Sequence, residues 1–164
     1  MTEIKVRVGT PEDVDGVMQL ALEACRDNGF VQPSPEKLLV DIWAALVRDK
    51  GIMGIIGKPG KKPEGCVLLR IGKMWYSDDD VVEEKSIFIH PDYRSAKGGR
   101  ARLLCEFSKM VADKLDIPLI VGIMSNERTE GKVRLYRRQF GEPTGAFFLY
   151  KAKGGFLKGH QDGR

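Results

Sequence analysis

The chain has 164 residues, 42% of them hydrophobic and 30% charged, with a net charge of +4. A chain of this length folds as one domain that buries roughly two-thirds of the surface its unfolded form exposes, and the composition excludes a disordered polymer. The longest apolar runs, IPLIVGIM at 117–124 and GIMGIIG at 51–57, fall far short of the ~20 residues of a membrane span. With no signal-peptide core in MTEIKVRVG at the start, the cytoplasm is the expected location. Cys25, Cys66 and Cys105 are odd in number, widely spaced and outside any CxxC, which predicts reduced thiols and no metal site. The basic excess suits an anionic ligand. Zinc-finger spacing, an aromatic RNA-binding signature and a long basic run are all missing, so a nucleic-acid partner is open but not favoured.

The first predicted element is a strand at 4–8, IKVRV, which alternates with period two. Thr10 and Pro11 then supply an N-cap and first helical position, and Val14, Val17, Met18, Ala21 and Cys25 make one apolar face of a helix over 11–25. The same start signal recurs at Ser34 and Pro35, followed by a stripe of Leu38 or Leu39, Ile42, Leu46 and Val47. GIMGIIG and EGCVLLRIGKMWY read as a hairpin around an exposed KPGKKP loop. That loop is not a P-loop, because the GxxxxGK[ST] pattern would put Ile52 at the first glycine and Pro59 at the Ser/Thr.

SDDD at 77–80 predicts a turn and VVEEKSIFIH at 81–90 a fourth strand. Ala101, Leu104, Cys105, Ser108, Val111, Ala112 and Leu115 then recur at helical spacing. IPLIVGI at 117–123 predicts a fifth strand buried on both faces, 127–139 a helix, and GAFFLYKA at 145–152 a last strand. The reading is therefore a single α/β domain over 1–153, with 154–164 as a flexible tail. Its order is β-α-α-β-β-β-α-β-α-β, a central mixed sheet of about six strands with helices on both faces.

The stretch IFIHPDYRSAKGGRARLL at 87–104 runs from a strand through a loop with two adjacent glycines into a helix. A helix N-terminus offers unpaired amides and partial positive charge to an anion. Gly98 and Gly99 let the backbone approach a ligand closely, and Arg94, Lys97, Arg100 and Arg102 surround the turn. A pyrophosphate or another polyanion is the expected guest, against a plain solvated basic turn.

Here the sequence resembles the GNAT superfamily of N-acetyltransferases, whose central motif is a strand with V-x-P-x-x-R and then x-x-G-x-G/A opening a helix. Ile89, Pro91 and Arg94 match the first part. Aligning Gly99 and Ala101 with the second part puts Leu104 at the buried leucine and makes the loop two residues longer. The ungapped register would put Lys97 and Gly99 at the glycine positions and bury Arg102, which is the costlier choice. Asn126 after the fifth strand and Tyr136 within LYRRQFG at 135–141 match a second motif of the family. The element order agrees over about 4–152, and the compact phage-encoded members are the most alike.

The resemblance implies an acyltransferase that uses acetyl-CoA as cosubstrate, without a metal, and passes acetyl to a primary amine by direct attack. In the family the fourth and fifth strands part, and the pantetheine arm lies in the gap. Carried over, that edge is Ile87, Phe88 and Ile89, with Arg94, Lys97, Gly98, Gly99, Arg100 and Ala101 at the phosphates and Asn126 beside the cofactor. Tyr136 stands where the family places the acid that protonates the departing thiolate. Glu83, six residues before Ile89, is the favoured base, with Glu84 on the opposite face and ordered water as alternatives. His90 has a surface or capping role. The acceptor would meet residues 25–36 and 141–146, and Asp27, Glu36 and Asp78, Asp79 and Asp80 are the acids available to attract a cation. The alternative is a GNAT-fold protein without catalysis that binds CoA, nucleic acid or protein. A homodimer is left open.

Overall fold

The structure is a computed structural model that describes residues 3–28, 31–94, 98–123 and 129–150. Strand β1 (Arg7–Val8) leads through a short 3₁₀ turn (Pro11–Asp13) into helix α1 (Val14–Asn28), and helix α2 (Pro35–Leu46) follows. Strands β2 (Gly51–Ile56), β3 (Gly65–Lys73) and β4 (Asp80–Ile89) form a meander. A 3₁₀ turn (Pro91–Tyr93), helix α3 (Arg100–Leu115), strand β5 (Leu119–Ile120) and helix α4 (Thr129–Phe140) complete the order. The five strands lie in sequence order, all neighbours antiparallel except β4 and β5.

Both helix starts lie where the capping residues place them. Ser34 caps α2, its Oγ accepting from the Lys37 amide at 3.4 Å. At the other start, the Thr10 amide donates to Asp13 at 2.9 Å, and this bond closes a 3₁₀ turn ahead of α1. Asp13 is fully buried. It accepts two bonds from Arg7 at 2.8 and 2.9 Å and one from the Gly60 amide at 3.1 Å. One carboxylate thus ties β1, the start of α1 and the β2–β3 loop together. Burial alone would push this carboxyl up. The Arg7 hydrogen bond, the Thr10 and Gly60 amides and the Arg7 charge outweigh it and hold the pKa at about 2.

The KPGKKP loop is accordingly less solvated than its composition suggests. Lys62 pairs with Glu23 at 2.7 Å, Pro63 is buried, and a side chain at Gly16 would strike the Lys61 carbonyl. The short helical residue is what lets the loop lie against α1.

Two apolar layers sandwich the sheet. Val17, Leu20 and Ala21 of α1 with Ile42, Ala45 and Leu46 of α2 pack on Met53, Ile55, Cys66, Leu68 and Phe88. Leu104, Phe107 and Val111 of α3 pack on Ile56, Val67, Leu69 and Val82. Each Val, Leu, Ile, Met or Phe among them contributes roughly 1.5–3 kcal/mol on burial.

Three elements depart from the sequence reading. Strand β5 pairs only at Leu119 and Ile120, and burial along 117–123 alternates instead of being continuous. It is the edge of the sheet among the described residues, with α3 packed on one face. Residues 145–150 of the expected last strand pair with no strand among the described residues, where the sheet has five strands, and Phe147 and Phe148 are 81% and 94% exposed. Residues 151 and 152, and the tail from 154, lie outside the described residues. In α2, Leu39 and Val47 are exposed with Val40 and Trp43, while Leu38 turns inward.

Strand β4 carries the irregularity that shapes the site. Leu68 opposes Ser86 and Leu69 opposes Glu84, so Lys85 is an extra residue with no partner on β3. This β-bulge reverses the alternation along the strand. Val82 and Glu84 before it share the α3 side with Ile87 and Ile89 after it, while Phe88 faces α1 and α2.

Candidate active site

The parallel pairing of β4 with β5 covers Val82 with Leu119 and Glu83 with Ile120 and goes no further among the described residues. Beyond Glu83 the β5 side of β4 has no sheet neighbour among the described residues. The His90 amide donates toward β3, to the Glu64 carbonyl at 2.9 Å. By alternation, Ile87 and Ile89 turn their backbone groups to the open side. Phe88 pairs with Cys66 in register, and its side chain is core. Of the expected strand edge, Ile87 and Ile89 therefore line the gap and Phe88 supports it from behind. The Ile89 carbonyl accepts from Arg94 Nε at 3.2 Å, which folds the start of the loop back over the strand end.

At the far side of the loop, Gly98 and Gly99 have φ of +121° and +62°, and α3 begins at Arg100. A Cβ on Gly98 would run into the Ile4 side chain, so the chain here needs glycine both for conformation and for space. The first turn of α3 holds no acidic residue, so no carboxylate of that turn offsets the partial positive charge of the helix start. Leu104 is fully buried, and Arg102 is exposed and paired with Glu106 at 2.7 Å. That is the arrangement the longer-loop alignment on Gly99 and Ala101 requires.

Arg100 stands at the first position of α3. Its guanidinium donates to Glu64 at 2.6 and 3.1 Å and lies 4.4 Å over the Tyr93 ring. It braces the helix start against the β2–β3 hairpin. His90 caps the following 3₁₀ turn, Nδ1 accepting from the Asp92 amide at 3.1 Å. Lys97 and Asn126 lie outside the described residues, as does the side chain of Asp27.

Helix α4 brings Tyr136 to the point where the strands part. Its hydroxyl donates to both oxygens of Glu84, at 2.8 and 3.1 Å, and its ring meets Phe140 edge-on at 5.4 Å. Glu84 is only 6% exposed. Burial pushes its pKa up to about 7, against the Tyr136 hydrogen bond and the Lys132 charge. Burial, the Glu84 charge and the Glu84 hydrogen bond all raise that of Tyr136, so the phenol keeps its proton at any physiological pH. Cys105 of α3 lies beside the pair, its thiol pushed up to about 12 by burial and then by the Glu84 charge.

The structure does not bring Glu83 to Tyr136. Glu83 is exposed and pairs with Lys85 at 3.1 Å. The carboxylate that meets the tyrosine is Glu84, because the bulge at Lys85 exchanges the faces that simple alternation from Ile89 would give. Glu84 was in the sequence reading as an alternative base, whereas Glu64 was missing from it. Its only signal there was its place at the foot of a hairpin.

The acidic residues named for an acceptor are dispersed. Glu36 accepts from Ser34 Oγ at 3.1 Å, and Asp80 pairs with Lys73 at 2.7 Å. Asp78 and Asp79 stay exposed at the β3–β4 turn beside Trp75 and Tyr76.

No protein-family model matches the chain, and no curated protein matches it. Solved structures do. The aminoglycoside N-acetyltransferase AAC(6')-Iy in complex with CoA superposes with a TM-score of 0.65 at 16% identity, covering 94% of this chain and 97% of that one. A ribosomal-protein-alanine N-acetyltransferase from Brucella melitensis biovar Abortus 2308 gives 0.63 at 11% identity, covering 91% and 99%. An integron cassette protein from the mobile metagenome of Cole Harbour Salt Marsh gives 0.65 at 20% identity, covering 92% and 91%. The chain thus has the mixed α/β fold of the GNAT acetyltransferases. No helix among the described residues is long and apolar enough to cross a membrane.

Proposed function

We propose that the protein is an acyltransferase that passes the acetyl group of acetyl-CoA to a primary amine by direct attack. One observation carries this reading. The gap between β4 and β5 opens immediately after Glu83, and the Tyr136 hydroxyl is anchored at Glu84, the next residue. An extended amide chain such as pantetheine would pair along the outward-facing backbone edge at Ile87 and Ile89, one of whose amides would polarise the thioester carbonyl. The pyrophosphate would meet the amides at Gly99, Arg100 and Ala101, where Gly98 keeps the approach clear. Arg94 and Arg100 hold the cradle's two ends, and Lys97 and Asn126 complete it by their places in the motif.

Transfer needs a neutral amine, a polarised carbonyl and a proton for the leaving sulfur. Tyr136 supplies the proton, since its raised pKa keeps the phenol intact until thiolate charge develops. Glu83, on the opposite face of β4 and open to solvent, accepts the amine's proton directly or through water. The protein acts in the cytoplasm. The acceptor approaches from the α1–α2 side, across the exposed Glu83.

Thiol release from acetyl-CoA, followed against a panel of primary amines (a polyamine, a lysine peptide, an aminoglycoside), tests the reading. Turnover with any of them that drops tenfold or more in Tyr136→Phe supports it. Turnover that is indifferent to Tyr136 removes the acid from the mechanism. Nucleic-acid binding that falls steeply with salt, without acetyl-CoA binding, would favour the non-catalytic alternative.

A further inference from the structure

Glu84 is a buried acid for which the transfer just described has no use. It lies on the α3–α4 side of the sheet, 6% exposed, with both oxygens engaged by the phenol of Tyr136. The amine's proton is lost on the other face, where Glu83 is. A base at Glu84 would have to reach it through the strand.

The geometry has a second consequence. A phenol has one proton, and a Tyr136 that donates to an ionised Glu84 has that proton directed away from the gap. Were Glu84 protonated, the carboxylic acid would be the donor and the phenol oxygen the acceptor. The phenol O–H would then be free to turn toward the gap.

We propose that Glu84 is a positioning residue that works through Tyr136. As an acid it aims the phenol proton at the leaving sulfur and afterwards replaces it, and as a carboxylate it holds the proton back. The inference rests on the acyltransferase reading above. The atoms balance as follows. The amine nitrogen bonds to the acetyl carbon and the C–S bond breaks, its electron pair going to sulfur. Sulfur takes the Tyr136 proton, the phenol oxygen takes the Glu84 proton, and the negative charge comes to rest on the Glu84 carboxylate instead of on a phenolate. The amine's surplus proton leaves to solvent on the Glu83 side, and one proton from solvent restores Glu84.

The surroundings suit a group that changes state near neutrality. Among the described residues, Lys132 of α4 acts on Glu84 and Cys105 of α3 on Tyr136, and Glu106 and Lys109 of α3 act in turn on Cys105. Leu69, opposite Glu84 on β3, and Leu119, beside Val82 on β5, are apolar. Desolvation pushes Glu84 to about 7, so both forms are populated in the physiological range. The competent fraction is nearly complete at pH 6 and falls tenfold per pH unit above the midpoint.

The test uses the whole protein with ¹³Cζ-labelled tyrosine. There are four tyrosines, and the Tyr136 signal is identified by its absence in Tyr136→Phe. In the protein alone, this signal is expected to shift with a single step near pH 7 as the phenol changes from acceptor to donor, and the step is expected to vanish in Glu84→Gln. No step between pH 5 and 9, or a step that persists in Glu84→Gln, overturns the proposal. With CoA added, the Tyr136 signal is expected to move at pH 6 and to stay in place at pH 8.5, and an equal response at both also overturns it. Calorimetry on the same samples separates the two failures. If CoA gives no heat of binding, the acyltransferase reading has failed, while the titration without CoA still decides whether Glu84 switches Tyr136.

Discussion

Arg100, the first residue of α3, holds its guanidinium 2.6 Å from Glu64 at the foot of the β2–β3 hairpin, with only 9% of its side chain exposed. The pair fixes where the amides of the helix start point. Removing one partner leaves a largely buried charge, so Glu64→Ala is expected to cost about 2–4 kcal/mol in urea unfolding and to weaken acetyl-CoA binding. Adding Arg100→Ala should restore part of the stability. Losses that simply add in the double variant would mean that the two side chains are not coupled.

Asp13 gives the fold an acid-sensitive joint. Its carboxyl lies at about 2 in the folded chain against 3.8 as a reference, so folding is favoured by ionisation. The contribution is complete above pH 4 and is lost as pH falls from there through 2. A depression of this size is worth about 2 kcal/mol. Asp13→Asn should be destabilised at pH 7 and should lose correspondingly less stability than the parent between pH 4 and 2. Parallel acid curves for the two proteins would contradict the account of this site.

Glu84 has the opposite sign. Its folded pKa of about 7 lies above the reference of 4.5, so its contribution is fully present below pH 4.5 and is lost as pH rises through 7. Glu84→Gln should therefore gain stability relative to the parent on going from pH 5 to pH 8.5, by on the order of 2–3 kcal/mol. Thermal unfolding at the two pH values measures it. A difference between the proteins that does not change with pH would mean that the carboxylate is better solvated than its burial indicates.

Gly99 is a place to test the phosphate cradle with little damage to the fold. Its φ of +62° is one that Asp tolerates better than most residues, and the new carboxylate would stand among the amides that open α3. Gly99→Asp should weaken acetyl-CoA binding tenfold or more with a modest loss of stability. Undiminished affinity would place the phosphates elsewhere.

Much of this was legible because local signals and the fold agree. Ser34 and Pro35 mark the start of α2, and the helical spacing after Gly99 that turns Leu104 inward leaves Arg102 outside. What stayed hidden depends on contacts distant in sequence. The bulge at Lys85 follows from how β3 and β4 settle their register, and EEKS gives no sign of which residue is extra. With alternation counted straight back from Ile89, Glu83 takes the place that Glu84 occupies. The Asp13 joins to Arg7 and Gly60 and the Glu64 pair with Arg100 were equally out of reach, because each links segments that only the folded sheet brings together. The strand expected at 145–152 has, over 145–150, no pairing partner among the described residues.

The central claim is that the gap and the loop together hold acetyl-CoA. Calorimetric titration with acetyl-CoA, with dephospho and desulfo analogues beside it, tests this most directly. Micromolar binding near one-to-one, weakened in Gly99→Asp, is the predicted result. An absence of binding at millimolar ligand by a folded protein would contradict the account, and with it the roles given to Tyr136 and Glu83.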